Sequence, residues 1–161
     1  PGATMGDRSR IRIMLLQIER DLGGLGLMPP CSTYHRFAVG MTGDKMSSSK
    51  PESTIFMDDE IESMERKVKR AISGGQPTVE EHRRLGGDVS KDVAYQYLQF
   101  FFENDDTALA EVKSEYESGR MLAGEVKQIC IDRATDWLID LKQKRDQMED
   151  AVAEFLAPDA I

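Results

Sequence analysis

Gly40-Met41-Thr42-Gly43-Asp44-Lys45-Met46-Ser47-Ser48-Ser49-Lys50-Pro51 is a stretch that neither a helix nor a strand accommodates. Two glycines, three consecutive serines and a closing proline make it a loop, because such residues break regular backbone ladders. Two ammonium groups, Lys45 and Lys50, stand in it among a row of hydroxyl and amide donors. A loop of this kind can wrap an anion with many weak hydrogen bonds and neutralise it with its cations. Two readings stay open on composition: a flap that grips a polyphosphate, or a solvated Ser/Gly linker.

Upstream, residues 7–22 read as an amphipathic helix. Ile11, Leu15, Ile18 and Leu22 recur at three- and four-residue spacing, and Gly23-Gly24 stops the run. After a turn over 26–30, residues 31–39 read as an extended segment that delivers the chain to the loop. Helix, extended segment and then an anion-binding loop is the order found at the carboxyl edge of an α/β sheet. Only the tail of such a sheet is here, which predicts the latter part of a larger protein.

Downstream the pattern is helical. A helix is expected from Asp58, with Ile61, Met64, Val68 and Ile72 as its apolar stripe. Arg66, Lys67, Lys69 and Arg70 crowd its end, either as a solvated terminus complementing the helix dipole or as a surface for RNA phosphates. Thr78 with Glu81 forms a capping box for a short helix closing at Gly86-Gly87. A helix over 90–103 carries Val93, Tyr97, Leu98, Phe101 and Phe102, aromatics whose density and spacing read as core. After the acidic break 104–106, Leu109, Val112 and Tyr116 mark a helix ending at Gly119, and residues 121–156 form one long helix or two joined ones.

Composition bounds the rest. The 161 residues are 40% hydrophobic and 31% charged, an ordinary globular balance. No run of about 18 apolar residues occurs, so no membrane span is expected. Cys31 and Cys130 lack metal-ligand spacing and read as free thiols, which points to a reducing cytoplasm. A formal charge of −8 excludes a generally basic nucleic-acid binder, so any RNA contact is local. His35 reads as a hydrogen-bonding wall residue and His82 as a packing residue, neither with a general-base partner in the sequence.

Lys45-Met46-Ser47-Ser48-Ser49 resembles the Lys-Met-Ser-Lys-Ser signature of class I aminoacyl-tRNA synthetases. The serine at its fourth position, followed by Lys50-Pro51-Glu52-Ser53, resembles the archaeal and eukaryotic tyrosyl and tryptophanyl branches. Three further stretches are similar to the tryptophanyl family, the first of them unlike the tyrosyl branch: Ser73-Gly74-Gly75 with Thr78 to Gly87, the run Tyr97-Leu98-Gln99-Phe100-Phe101, and Met121-Leu122-Ala123-Gly124-Glu125-Val126-Lys127. The resemblance covers Ser32 to Phe155 in family order. It departs at Ser48, where the signature has lysine, and at Gln76-Pro77, where the family commonly has Arg-Asp.

That resemblance implies a mainly α chain: the end of a Rossmann-like α/β catalytic domain (residues 1–57), then an α-helical bundle that binds the anticodon (residues 58–161). It implies ATP and Mg2+ as the nucleotide and its metal, the metal carried on the substrate phosphates. Lys45 and Lys50 would be catalytic, stabilising charge on the leaving pyrophosphate. Gly43, Lys45, Met46, Ser47, Ser48, Ser49 and Lys50 would bind ATP, with Met46 beside the adenine. Asp7 would stand in for one member of the Asp-Gln pair that holds the amino acid, and Arg12 for the family's helix arginine. Gln76, Pro77 and Lys127 would touch tRNA. The implied whole is a cytoplasmic, homodimeric tryptophan–tRNA ligase acting on tryptophan and tRNA(Trp). The alternatives are a tyrosyl relative and a non-catalytic tRNA-binding module. The family's other nucleotide signature, His-Ile-Gly-His, has no counterpart in these residues, so this chain by itself is expected to be inactive.

Overall fold

The computed structural model describes residues 13–24 and 38–148. The chain divides into two compact units, Pro1–Phe37 and Ala38–Ile161. In the first, helix α1 spans residues 13–22 and gives way at Gly23, whose amide still donates to the Glu19 carbonyl. The extended segment and turn expected over 26–37, together with Asp7, Arg12, Cys31 and His35, lie outside the described residues.

The second unit is mainly α. After the 3-10 turn Pro51–Ser53 come α2 (Ile61–Arg70), α3 (Val79–Leu85), α4 (Val93–Tyr97), a π-helical turn Leu98–Phe102, α5 (Asp106–Glu117) and α6 (Ala123–Gln147). Among the described residues the β structure is a single antiparallel bridge, Val39 to Lys45. α6 is the spine against which α2, α4, α5 and the π turn pack. Its Val126, Cys130, Ala134 and Leu138 fall at four-residue steps and are all buried, so one stripe of the helix faces the core. Met64 and Val68 of α2, Val93, Ala94, Tyr97 and Leu98 around α4, and Tyr116 of α5 complete that core.

Three sequence expectations change here. Helix α2 starts at Ile61, not Asp58, because the Asp59 carboxylate is engaged behind it: it accepts from the Phe56 amide at 2.9 Å and from the Lys67 ammonium at 2.5 Å. α2 also ends at Arg70, which leaves Ile72 half-exposed in the following loop, outside the expected stripe. The helix expected over 90–103 is two pieces. Asp92 caps α4 by accepting from the Tyr95 amide, and after one and a half turns the backbone widens, with the Glu103 amide donating to the Leu98 carbonyl across five residues. That widening changes which way the aromatics face. Tyr97 and Leu98 stay in the core, whereas Phe101 is 47% exposed.

Elsewhere two side chains cap helix starts, Thr78 where the sequence expects a cap and Asp105 where it reads only a break. Thr78 Oγ1 accepts from the Glu81 amide at 3.1 Å, and Asp105 accepts from the Thr107 amide at 2.8 Å. Residues 123–147 form one continuous helix. Its entry is closed by Glu125, whose carboxylate accepts from the Leu122 amide at 2.7 Å.

Candidate functional site

The loop that opens the sequence argument is a short hairpin followed by a knotted turn. The Gly40 amide donates to the Asp44 carbonyl at 2.7 Å and the Gly43 amide to the Gly40 carbonyl at 2.8 Å. This brings Lys45 back beside Val39. Gly43 turns the corner at φ +82°, the left-handed region where a side chain is strained. Thr42, Gly43, Asp44 and Lys45 at the tip are exposed, as are Ser48, Ser49 and Lys50 farther on.

Ser53 ties the second half of the flap. It is 1% exposed, and its hydroxyl accepts from the Ser47 amide at 3.1 Å while donating to the Lys50 carbonyl at 2.7 Å. Its own amide reaches the same Lys50 carbonyl at 2.9 Å, and its carbonyl accepts from the Met41 amide at 3.0 Å. The buried Met41 closes the base, its carbonyl accepting from the Ile72 amide at 3.1 Å. The flap is thus fastened at Ser53 and Met41, and its hydroxyls and ammoniums are left outward. Ser53 was visible in the sequence only as a small residue after Lys50-Pro51-Glu52. Nothing there distinguishes it from its neighbouring serines.

The cations sort into two groups. Lys67 is 3% exposed, paired with Asp59 and 4.7 Å from the Phe56 ring centroid. Arg66 and Arg70 lie 3.2 and 4.0 Å from the Glu52 carboxylate, and Lys69 lies 2.8 Å from Glu65. The four cations at the end of α2 are therefore engaged by three carboxylates, Arg66 and Arg70 sharing Glu52. By contrast, Lys45 and Lys50 have no carboxylate or carbonyl partner among the described residues. Arg84 of α3 is likewise exposed and without a partner among the described residues, so it is within the flap that Lys45 and Lys50 carry the anion affinity.

Met46 does not face outward with the serines. Its thioether accepts a hydrogen bond from the Tyr97 hydroxyl at 3.3 Å. It also lines an apolar cleft of about 320 Å³ with Ile55, Phe56, Met57, the aromatics of the π turn and Trp137. Burial pushes the Tyr97 phenol up to about 12, so it remains a donor at neutral pH.

The second group of sequence candidates surrounds the loop 73–77. Gln76 donates from Nε2 to the Gly86 carbonyl at 3.1 Å, which leaves its Oε1 without a donor among the described residues. Pro77 is exposed beside it. His82 is buried and bridges the loop to the next turn. Its Nε2 lies 2.8 Å from the Met121 carbonyl, and its Nδ1 accepts from the Gln76 amide at 3.4 Å. Both nitrogens are used structurally, in agreement with a packing role. Lys127 is not a free surface cation. Its ammonium caps the end of α2, donating to the carbonyls of Lys69 at 3.0 Å and Ala71 at 2.6 Å, and burial lowers its pKa below the ordinary lysine value.

Asp92 holds this loop in place. Fully buried, it accepts from the Gly74 amide at 3.0 Å and the Tyr116 hydroxyl at 2.8 Å while capping α4. The sequence carried its signal, a carboxylate directly before an apolar helical run. What it lacked was the pairing to a loop eighteen residues earlier in the chain.

Comparison with known proteins fits this arrangement. The sequence profile of the tRNA synthetases class I (W and Y) matches residues 7–138. The tryptophan–tRNA ligase of Saccharolobus solfataricus is 41% identical over 143 residues, 86% of this chain and 38% of that protein. That of Methanocaldococcus jannaschii is 40% identical over 145 residues, 88% of this chain and 39% of that one. Among solved structures, tryptophanyl-tRNA synthetase from Aeropyrum pernix K1 superimposes with a TM-score of 0.83 at 32% identity, covering 93% of this chain and 41% of its own. The enzyme from Giardia lamblia does so at 0.69 and 35%, covering 78% and 31%. The chain spans about two fifths of the length of the curated relatives it matches. With the lysine-serine flap and the helical unit in one order and one fold, it belongs to the class I tRNA synthetases of the W and Y group.

Proposed function

We propose that this chain is the flap and helical arm of a tryptophan–tRNA ligase, which activates tryptophan with ATP and transfers it to tRNA(Trp). Residues 1–57 then close the catalytic domain, and residues 58–161 form the anticodon-binding domain. The observation that carries the reading is the pair of exposed, unpartnered ammoniums, Lys45 and Lys50, on a hydroxyl-rich turn whose backbone is fastened from beneath. Every cation at the end of α2 is engaged elsewhere.

The tryptophan carboxylate attacks the α-phosphate of ATP in line and pyrophosphate leaves. Lys45 and Lys50 offset the charge that builds on the leaving group, exposed Ser48 and Ser49, with Ser47, donate to phosphate oxygens, and Gly43 shapes the turn that lets the nucleotide approach. Serine at position 48 removes one cation from the signature, which shifts weight onto Lys50. Magnesium arrives on the phosphates. Asp7 orients the amino acid, and Gln76 Oε1 with the exposed Pro77 offers an acceptor and a flat face to an unstacked anticodon base. Lys127 acts at the border of that surface by fixing the end of α2. A cytoplasmic homodimer is the form this reading implies.

The test uses the full-length enzyme that carries this chain. Lys45→Ala and Lys50→Ala should each lower tryptophan-dependent pyrophosphate exchange by about 100-fold, the usual cost of removing one charge stabiliser. Tryptophan affinity should hold. Exchange at the parent rate in the double variant overturns the reading.

A further inference from the structure

Three features outside the phosphate-binding face converge on one side chain. The first is the Met46 thioether, which is turned inward to the Tyr97 hydroxyl at 3.3 Å while its neighbours in the flap face out. The second is the π-helical turn that starts immediately after Tyr97, a departure from α geometry that recurs at functional positions. The third is the shared helix. Asp92 at its start holds the Gly74 amide of the loop 73–77, and Tyr97 at its end holds the flap. The Ile72 peptide joins the same parts through the backbone, its amide on Met41 and its carbonyl accepting from Val93 at 3.1 Å.

We propose that Tyr97 is a positioning residue for nucleotide binding, holding the flap through the Met46 sulfur so that Lys45 and the serines are pre-arranged for the triphosphate. This rests on the nucleotide reading of the flap, and it adds a residue that touches no phosphate. The ring of Tyr97 is fixed by Phe101 and Phe102, with centroids 5.3 and 6.3 Å away, so the hydroxyl is aimed without a mobile stem. The oxygen–sulfur hydrogen bond is a weak one, suited to a segment that moves during a catalytic cycle.

The test has two arms. In this chain, trypsin cleaves after the exposed Lys45, whereas Lys50 is protected by Pro51. Tyr97→Phe keeps the ring and removes the hydroxyl. It should speed cleavage after Lys45 about twofold, the factor that a hydrogen bond at the weak end of the net range represents, with melting shifted by no more than about 3 °C. Met46→Leu should do the same, and the double variant should go no further than either single change. In the full-length enzyme, Tyr97→Phe should raise KM for ATP about twofold and leave KM for tryptophan unchanged. Cleavage at the parent rate, an additive double variant, or KM values for ATP and tryptophan that rise together overturn the proposal. Failure of the nucleotide reading is separate, because it shows as parent-rate exchange in the lysine variants whatever trypsin reports.

Discussion

Lys67 illustrates what a single side chain means once its partners are known. In the sequence it is one of four cations at the end of a helix, and dipole complementarity accounts for all of them equally. In the fold its ammonium is buried between the Asp59 carboxylate and the Phe56 ring, and Asp59 in turn holds the Phe56 amide. A buried pair of this kind contributes little net stability against an apolar pair of the same size, yet breaking it is costly because one charge is left desolvated. Asp59→Ala should therefore lower stability by about 3 kcal/mol. Lys67→Met should cost clearly less, since the methylene stem still covers Phe56 and Asp59 keeps an amide donor. Urea denaturation of the two variants decides the matter, and equal losses would contradict this account of the pair. The same logic applies to Lys127, whose ammonium completes α2 by capping carbonyls across 56 and 58 residues of sequence.

At the scale of elements, the loop between α2 and α3 is specified by close backbone contact. Gly74 runs so close to Asp88 that a Cβ would collide with the Asp88 carbonyl oxygen, while the Gly74 carbonyl accepts from the Asp88 amide at 2.8 Å. Neither backbone can yield without breaking that bond or the one to Asp92. Gly74→Ala should cost about 3 kcal/mol, at the upper end for overpacking, and should loosen Gln76 and His82 together. Thermal melting measures the first effect and the amide exchange of Gln76 the second. A melting temperature equal to the parent's would refute the close approach. Helix positions, caps and stops were legible in the sequence where the cause is local, as with Thr78 before α3, the break before α5 and the helical period of α6. What was not legible has non-local causes. Asp59 is drawn away from α2 by a lysine two turns into the helix, the backbone of 98–102 widens where its aromatics meet α6, and Ser53 is chosen among serines by burial alone. The phosphate-facing side chains of the flap could be picked out by type, but the inward turn of Met46 could not, because its partner lies 51 residues on.

The molecule as a whole places, among the described residues, four acids of raised pKa in one core. Tyr95, Tyr97, Tyr116 and Cys130 are each 5% exposed or less, and burial raises all four. Tyr97 and Cys130 are pushed up to about 12, and Tyr116 rises above its ordinary 10.0, helped by the Asp92 carboxylate that accepts its hydrogen bond. The folded chain therefore keeps protons that the unfolded chain releases, first from the thiol near 9.0 and then from the phenols near 10.0. Stability from these groups is complete below those unfolded values and is lost as pH climbs toward the folded ones. The expected curve is flat to about pH 9, then falls with a slope approaching about 1.4 kcal/mol per pH unit for each acid that titrates only in the unfolded chain. Lys127 offsets this in part, because its lowered folded pKa adds stability as pH rises toward the ordinary lysine value. Cys130→Ala removes the first of the four and should move the onset up by about one pH unit, to where tyrosine begins to ionise, despite a lower plateau from the cavity it leaves. Urea denaturation from pH 7 to 11 in parent and variant reads both features. A parent curve that stays level to pH 11, or an onset that does not move in Cys130→Ala, would mean that these groups reach water in the native state and that the core around Asp92 is not closed as described.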